Sequence, residues 1–148
     1  MSDSAEHEVY RQHRNAQEKF IYFLLAITGS AIAYALNRAE NQPLSIFLIP
    51  WGVAILLWGL SFFFGIRHIA YLTSNLYANF ELIKVQKGQS KEAGNTPLLI
   101  EAAVEGINKA INANNDKAVL FAKLQVNLFM IGIFFYVVWQ VIEMSIVN

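Results

Sequence analysis

Residues 41–66 read NQPLSIFLIPWGVAILLWGLSFFFGI, 26 residues without a single charged side chain. An α-helix needs roughly 20 mainly apolar residues to cross about 30 Å of hydrocarbon. This stretch is long enough to do so, with Trp51 at one edge, where interfacial aromatics sit. Pro50 falls in the first turn of such a helix or just inside it, so the helix either starts late or kinks there.

Two further runs flank it. Phe20–Leu36 holds 17 residues without a charge and Leu124–Ile142 holds 19. The chain is 148 residues long, 55% hydrophobic and only 15% charged. A soluble domain usually has about 25% charged residues. One buried apolar helix could hide inside a protein of this size, but three could not. The expected fold is all-α: an integral membrane protein with three transmembrane helices and a cytoplasmic helical hairpin or stalk, assembled as an oligomer.

The expected parts are a cytoplasmic helical stub at 1–19, span one at 20–36, an external turn at 37–45 and span two at 46–66. A cytoplasmic helical region at 67–123 follows, then span three at 124–143 and an external end at 144–148. Asp3 or Ser4 is a candidate cap for the first helix, with Glu6 and Glu8 in its first turn. Phe20–Thr28 followed by Ala31-Ile32-Ala33 has the outline of a signal peptide. The acid-rich stretch before it argues for an uncleaved span instead.

Orientation follows from the lysines and arginines. The tail before span one has Arg11, Arg14 and Lys19, and the turn at 37–45 has Arg38 alone. The segment 67–123 has Arg67, Lys84, Lys87, Lys91, Lys109, Lys117 and Lys123, and the C-terminal end has none. The tail and 67–123 are therefore expected inside, in a bacterial inner membrane, with the short turn and the C-terminus outside.

Beyond Gly65 nothing stops the second helix. Ile66, Ile69, Thr73, Leu76, Phe80 and Ile83 follow a 3-4-3-4-3 spacing, the seam of a left-handed supercoil. Tyr71, Leu72, Tyr77, Leu82 and Val85 add a second apolar face, and a helix apolar on two faces needs two neighbours. Lys87–Thr96 is a polar loop. Thr96-Pro97 reads as N-cap and first residue of a helix that buries Ile100, Val104, Ile107 and Ile111. That helix is expected to end in the turn cluster Asn112-Ala113-Asn114-Asn115, with Asp116 capping the last one.

The residues exclude several chemistries. The chain has no cysteine, and so no disulfide, thiolate metal site or cysteine nucleophile. Phosphate-loop, zinc-protease, nucleophile-elbow and dinucleotide motifs are absent. His7, His13 and His68 lack metal-ligand spacing. No catalytic residue, metal or cofactor is expected. A net charge of zero argues against long nucleic acid as a partner. No charge lies deep in a span, which argues against proton-coupled transport.

Polar groups inside the spans cost free energy in lipid unless they are satisfied. Thr28, Ser30, Ser61, Gln125 and Asn127 are candidates either for hydrogen bonds between helices or for a pore lining. Phe62-Phe63-Phe64 are candidates for a gate that closes by dewetting, or for lipid-facing aromatics. Two small-xxx-small pairs, Ala26/Ser30 and Gly29/Ala33, favour close helix contacts. Arg67, Lys84, Lys87 and Lys91 are candidates for holding an anionic ligand or anionic lipid.

The run from Trp51 through Phe64 into the helical segment Arg67–Lys87, with a compact inside region ending at Lys123, resembles the small multi-span effectors of bacterial anti-phage signalling operons. In those systems a nucleotide messenger triggers a membrane effector that permeabilises the inner membrane. The resemblance is one of layout. It implies a ligand-gated pore formed by several copies, with a tetramer as the expected number, membrane lipid around it and a small nucleotide as ligand. The rival expectation is a non-conducting scaffold or accessory subunit that docks a cytoplasmic partner through Tyr71, Tyr77 and Phe80.

Overall fold

The computed structural model describes residues 2–40, 42, 45–90 and 96–146, with the side chains of 2–7, 9, 10, 13, 14 and 146 left aside. Three long helices account for nearly all of them: α1 Ser2–Ala39, α2 Ile49–Gln86 and α3 Pro97–Ile146. The described residues contain no strand. Each of the three helices is long and apolar enough to cross a membrane.

The chain falls into two compact units, Met1–Gly65 with Leu124–Asn148, and Ile66–Lys123. The first is a three-helix bundle. α1 turns Ile21, Leu24, Thr28 and Ala35 inward, and α2 turns in Ala54, Trp58, Ser61 and Gly65. α3 contributes Gln125, Gly132 and Trp139. Spacings of three, four and seven keep these residues on one stripe of each helix. The second unit pairs the end of α2 with the beginning of α3, and its buried residues are His68, Val85 and Ala118.

Helix ends have identifiable causes. A 3-10 turn at Ile46–Leu48 leads into α2, so Pro50 lies in the first turn, where its missing N–H costs nothing. Trp51 donates its indole N–H to the Ala35 carbonyl at 3.0 Å, near the end of α1. α2 stops at Gly88, whose φ of 66° suits a residue without Cβ. There Gln89 N–H bonds the Lys84 carbonyl and Gly88 N–H the Val85 carbonyl, the paired bonds of a Schellman stop. α3 starts at Pro97 as Thr96-Pro97 predicts, with Leu99 and Ile100 N–H on the Thr96 carbonyl.

Two local expectations are corrected. α1 already begins at Ser2, so Asp3 and Ser4 lie within its first turn rather than capping it. α3 runs through Asn112–Asp116 without a turn. Each Asn or Asp gives up only about 0.5 kcal/mol of helix propensity relative to alanine. No Gly or Pro interrupts residues 107–131. Meanwhile the half-buried stripe Ile100, Val104, Ile107, Ile111 continues in register through Asn114 to buried Ala118. Asn114 occupies an inward position because its amide donates to Ser74 Oγ at 3.3 Å. Packing outweighs the local turn signal.

The faces of α2 in the second unit also differ from the simplest reading. The stripe turned toward α3 is His68, Leu72, Asn75, Leu82 and Val85, all buried or half-buried. The apolar seam Ile66, Ile69, Thr73, Leu76, Phe80, Ile83 lies one residue further on, about 100° around the helix. Ile66, Leu76, Phe80 and Ile83 are about half exposed. Tyr77 of the second face is more exposed still. α2 thus meets one neighbour here through its more polar stripe, and the more apolar one stays about half exposed, with Ile69 half-buried.

Candidate functional site

The interior of the bundle is polar at its centre. Thr28 and Ser61 are fully buried and Gln125 almost so. Thr28 Oγ1 donates to the Leu24 carbonyl of its own helix at 2.7 Å. Ser61 Oγ donates across to the Gln125 carbonyl at 2.7 Å. The Gln125 side chain fits because residue 65 is glycine: a Cβ there would lie 2.6 Å from Gln125 Nε2 and 2.7 Å from Leu25 Cδ2. Gln125 Nε2 itself is buried and finds no hydrogen-bond partner among the described residues.

A second layer is aromatic. The Trp58 indole donates to the Phe129 carbonyl at 3.2 Å, and its ring sits where a Cβ on Gly132 would come within 2.5 Å. Tyr136 packs 5.4 Å from both Trp58 and Trp139 and 6.4 Å from Tyr34, so all three helices meet there. Gln42 donates to Glu143 Oε1 at 2.6 Å beyond this layer.

Of the five polar candidates, Thr28, Ser61 and Gln125 thus act as contacts inside one bundle. Ser30 and Asn127 are exposed on its outer surface. So are Phe62 and Phe63, while Phe64 is half-buried against Phe63 at 5.6 Å. Ala26, Ser30 and Ala33 of the small-residue pairs also face outward.

In the second unit His68 Nδ1 lies 2.6 Å from the Ala118 carbonyl, which fixes the proton on Nδ1. Its Nε2 is buried and unpartnered among the described residues. Tyr71 stacks on Phe121 with ring centroids 5.5 Å apart and planes 15° from parallel.

The four cationic candidates do not converge. Arg67 stands over Tyr71. Lys84 lies 17 positions on, about 25 Å along the helix, bound to Glu81 at 2.8 Å and set over Phe80. Lys87 is exposed past the end of α2, and Lys91 lies outside the described residues. The cation that does join Arg67 is Lys117, over the same Tyr71 ring. Residues 50 positions apart leave no local signal for such a pairing. No cluster of three or more histidine or carboxylate side chains forms a metal site among the described residues.

No protein-family model, no curated protein and no solved structure matches this chain.

Proposed function

We propose that several copies of this chain assemble in the bacterial inner membrane into a ligand-gated pore, acting as an anti-phage effector that permeabilises the membrane when a nucleotide messenger binds. The tail before span one and residues 67–123 lie in the cytoplasm in this reading, and the C-terminus lies outside. A tetramer is the working number.

One observation carries the proposal. A single bundle is closed around buried Thr28, Ser61 and Gln125, while Ile66, Leu76, Phe80 and Ile83 on the apolar stripe are about half exposed. Any water path therefore has to form between copies rather than within one. The outward Asn127 supports the same reading. An amide on the apolar surface of a span can gain a hydrogen-bond partner from a neighbouring helix of another copy. Ala26, Ser30 and Ala33 leave room for a neighbouring helix. Phe62 and Phe63, exposed on the bundle, remain the candidates for a dewetting gate.

The alternative is a non-conducting scaffold. It is favoured by the inward position of three of the five polar candidates, which leaves fewer groups to line a pore. Purified protein in liposomes separates the two. The pore reading expects an oligomeric mass in native-like detergent and release of an entrapped dye that rises with a candidate nucleotide. A monomer, or an oligomer that never releases dye, would remove the pore. Single cysteines at Ser45 and Gln89 test orientation, since the chain has no native thiol. An impermeant maleimide added to intact cells should label the first and spare the second.

A further inference from the structure

Arg67 and Lys117 approach one aromatic ring from two helices. The Arg67 guanidinium carbon lies 5.4 Å from the Tyr71 ring centroid and Lys117 Nζ lies 5.7 Å from it. Both fall within the roughly 6 Å reach of a cation–π contact. Arg67 Nη2 also donates to the Tyr71 hydroxyl at 3.3 Å, and the stack on Phe121 holds the ring.

Two cations at one ring repel each other, and the usual remedy is a carboxylate. None serves here: neither Arg67 nor Lys117 makes an ion pair with an acid among the described residues. Asp116 is next to Lys117 in sequence, but adjacent residues on a helix do not face each other. Glu105 is more than three turns back along α3. Lys84, by contrast, is already neutralised by Glu81. Both Arg67 and Lys117 are exposed, so an anion can reach them. Their place in the chain narrows its source. Arg67 directly follows the uncharged run 41–66, and Lys117 precedes Leu124 by two turns, the depth at which headgroups lie if these runs cross a bilayer.

We propose that Arg67, Tyr71 and Lys117 form a phosphate-binding clamp. Arginine supplies a planar fork for two phosphate oxygens and lysine a point charge. Tyr71 positions the arginine through its hydroxyl and its ring. The same chemistry fits the headgroup of an anionic lipid or the phosphate of a soluble nucleotide. The clamp goes beyond the pore reading and holds for a scaffold as well.

The test uses full-length protein in neutral detergent with three probes: fluorescent phosphatidylglycerol, fluorescent phosphatidylcholine and inorganic pyrophosphate. Wild type should bind phosphatidylglycerol over phosphatidylcholine by on the order of tenfold, the size expected of two cations near a surface. The double variant Arg67→Gln/Lys117→Gln should lose that preference, and Lys84→Gln/Lys87→Gln should keep it. Tyr71→Phe, which retains the stack, should lose part of it. Pyrophosphate binding that vanishes in the first double variant, without any lipid preference, would still establish the clamp and assign it to a soluble phosphate. Equal losses in the two double variants would mean diffuse surface charge and overturn the clamp. So would a wild type that discriminates among none of the probes. Thermal unfolding of each variant checks that both exposed substitutions leave the fold intact.

Discussion

The bundle and the helix pair both expose large apolar side chains, the bundle more of them, yet the two surfaces do not mean the same thing. On the bundle Phe23, Leu56 and Phe134 are well exposed, while its interior holds a serine, a threonine and a glutamine. On the helix pair Leu76, Tyr77 and Phe80 are exposed, while the buried stripe includes a histidine. In hydrocarbon an exposed phenylalanine costs nothing, so a helix can be apolar all round and keep its few polar groups for contacts with its neighbours. In water the same exposure forgoes about 25 cal/mol for each Å² left uncovered. If the first unit lies in lipid, its surface needs no further partner. If the second lies in the cytoplasm, its apolar stripe does.

A charge on that stripe probes the difference most strongly. Leu76→Asp should disturb the single chain little, because Leu76 is about half exposed within it. Between copies it places unpaired carboxylates together, at a cost of several kcal/mol. The expected result is a smaller particle by mass measurement in native-like detergent, with helix content unchanged. An unchanged particle would take the stripe out of the assembly and make the two surfaces equivalent.

The bundle responds to volume instead. Gly132→Ala pushes a Cβ into the Trp58 ring, a broad group held by its bond to the Phe129 carbonyl. Overpacking of this kind costs about 1–3 kcal/mol. Gly65→Ala meets the ends of Gln125 and Leu25, which can swing away, so its cost should fall at or below about 1 kcal/mol. Unfolding of the two variants in mixed detergent gives the order. A reversed order would show that the aromatic layer is looser than the polar one.

The smallest effect belongs to the polar start of α1. Glu8 accepts a hydrogen bond from Gln12 at 3.0 Å and pairs with Arg11 at 2.7 Å. First the Gln12 bond and then Arg11 hold its carboxyl below the usual value. A depressed carboxylate adds helix stability above its unfolded pKa, and that stability is lost as pH falls through the lower folded value. Labelled-glutamate NMR should therefore find Glu8 titrating below the ordinary glutamate value, and Gln12→Ala should bring it back toward that value. Both ends of this pair are in solvent, so neither unit should loosen in the process.

Much of this architecture is legible in the chain itself. Three uncharged runs and Thr96-Pro97 at the head of α3 are each set by local chemistry, hydropathy and proline's missing N–H, whereas the turn expected from Asn37 gives way to α1 as far as Ala39. The candidate site was legible only in pieces. Arg67 stands out at the end of an apolar run, but Lys117 looks like any surface lysine until α3 brings it back beside Tyr71. Gly132 looks like one more small residue until the Trp58 ring fills the space beside it.

What the sequence by itself determined was therefore where the helices lie and how apolar they are. Helix length and composition depend on neighbours a few positions away. At the start of α3 the period already marked the inward stripe, Ile100 to Ile111, but in the bundle and along the end of α2 the tertiary structure decided which stripe turns inward. In a chain apolar on most faces, the period of hydrophobic residues cannot rank one face over another. The choice rests on close approach and hydrogen bonding: Gly65 against Gln125, Ser61 on the Gln125 carbonyl, His68 on the Ala118 carbonyl, Asn114 on Ser74. Those partners are 40 to 64 positions apart, so their match exists only once the helices have met.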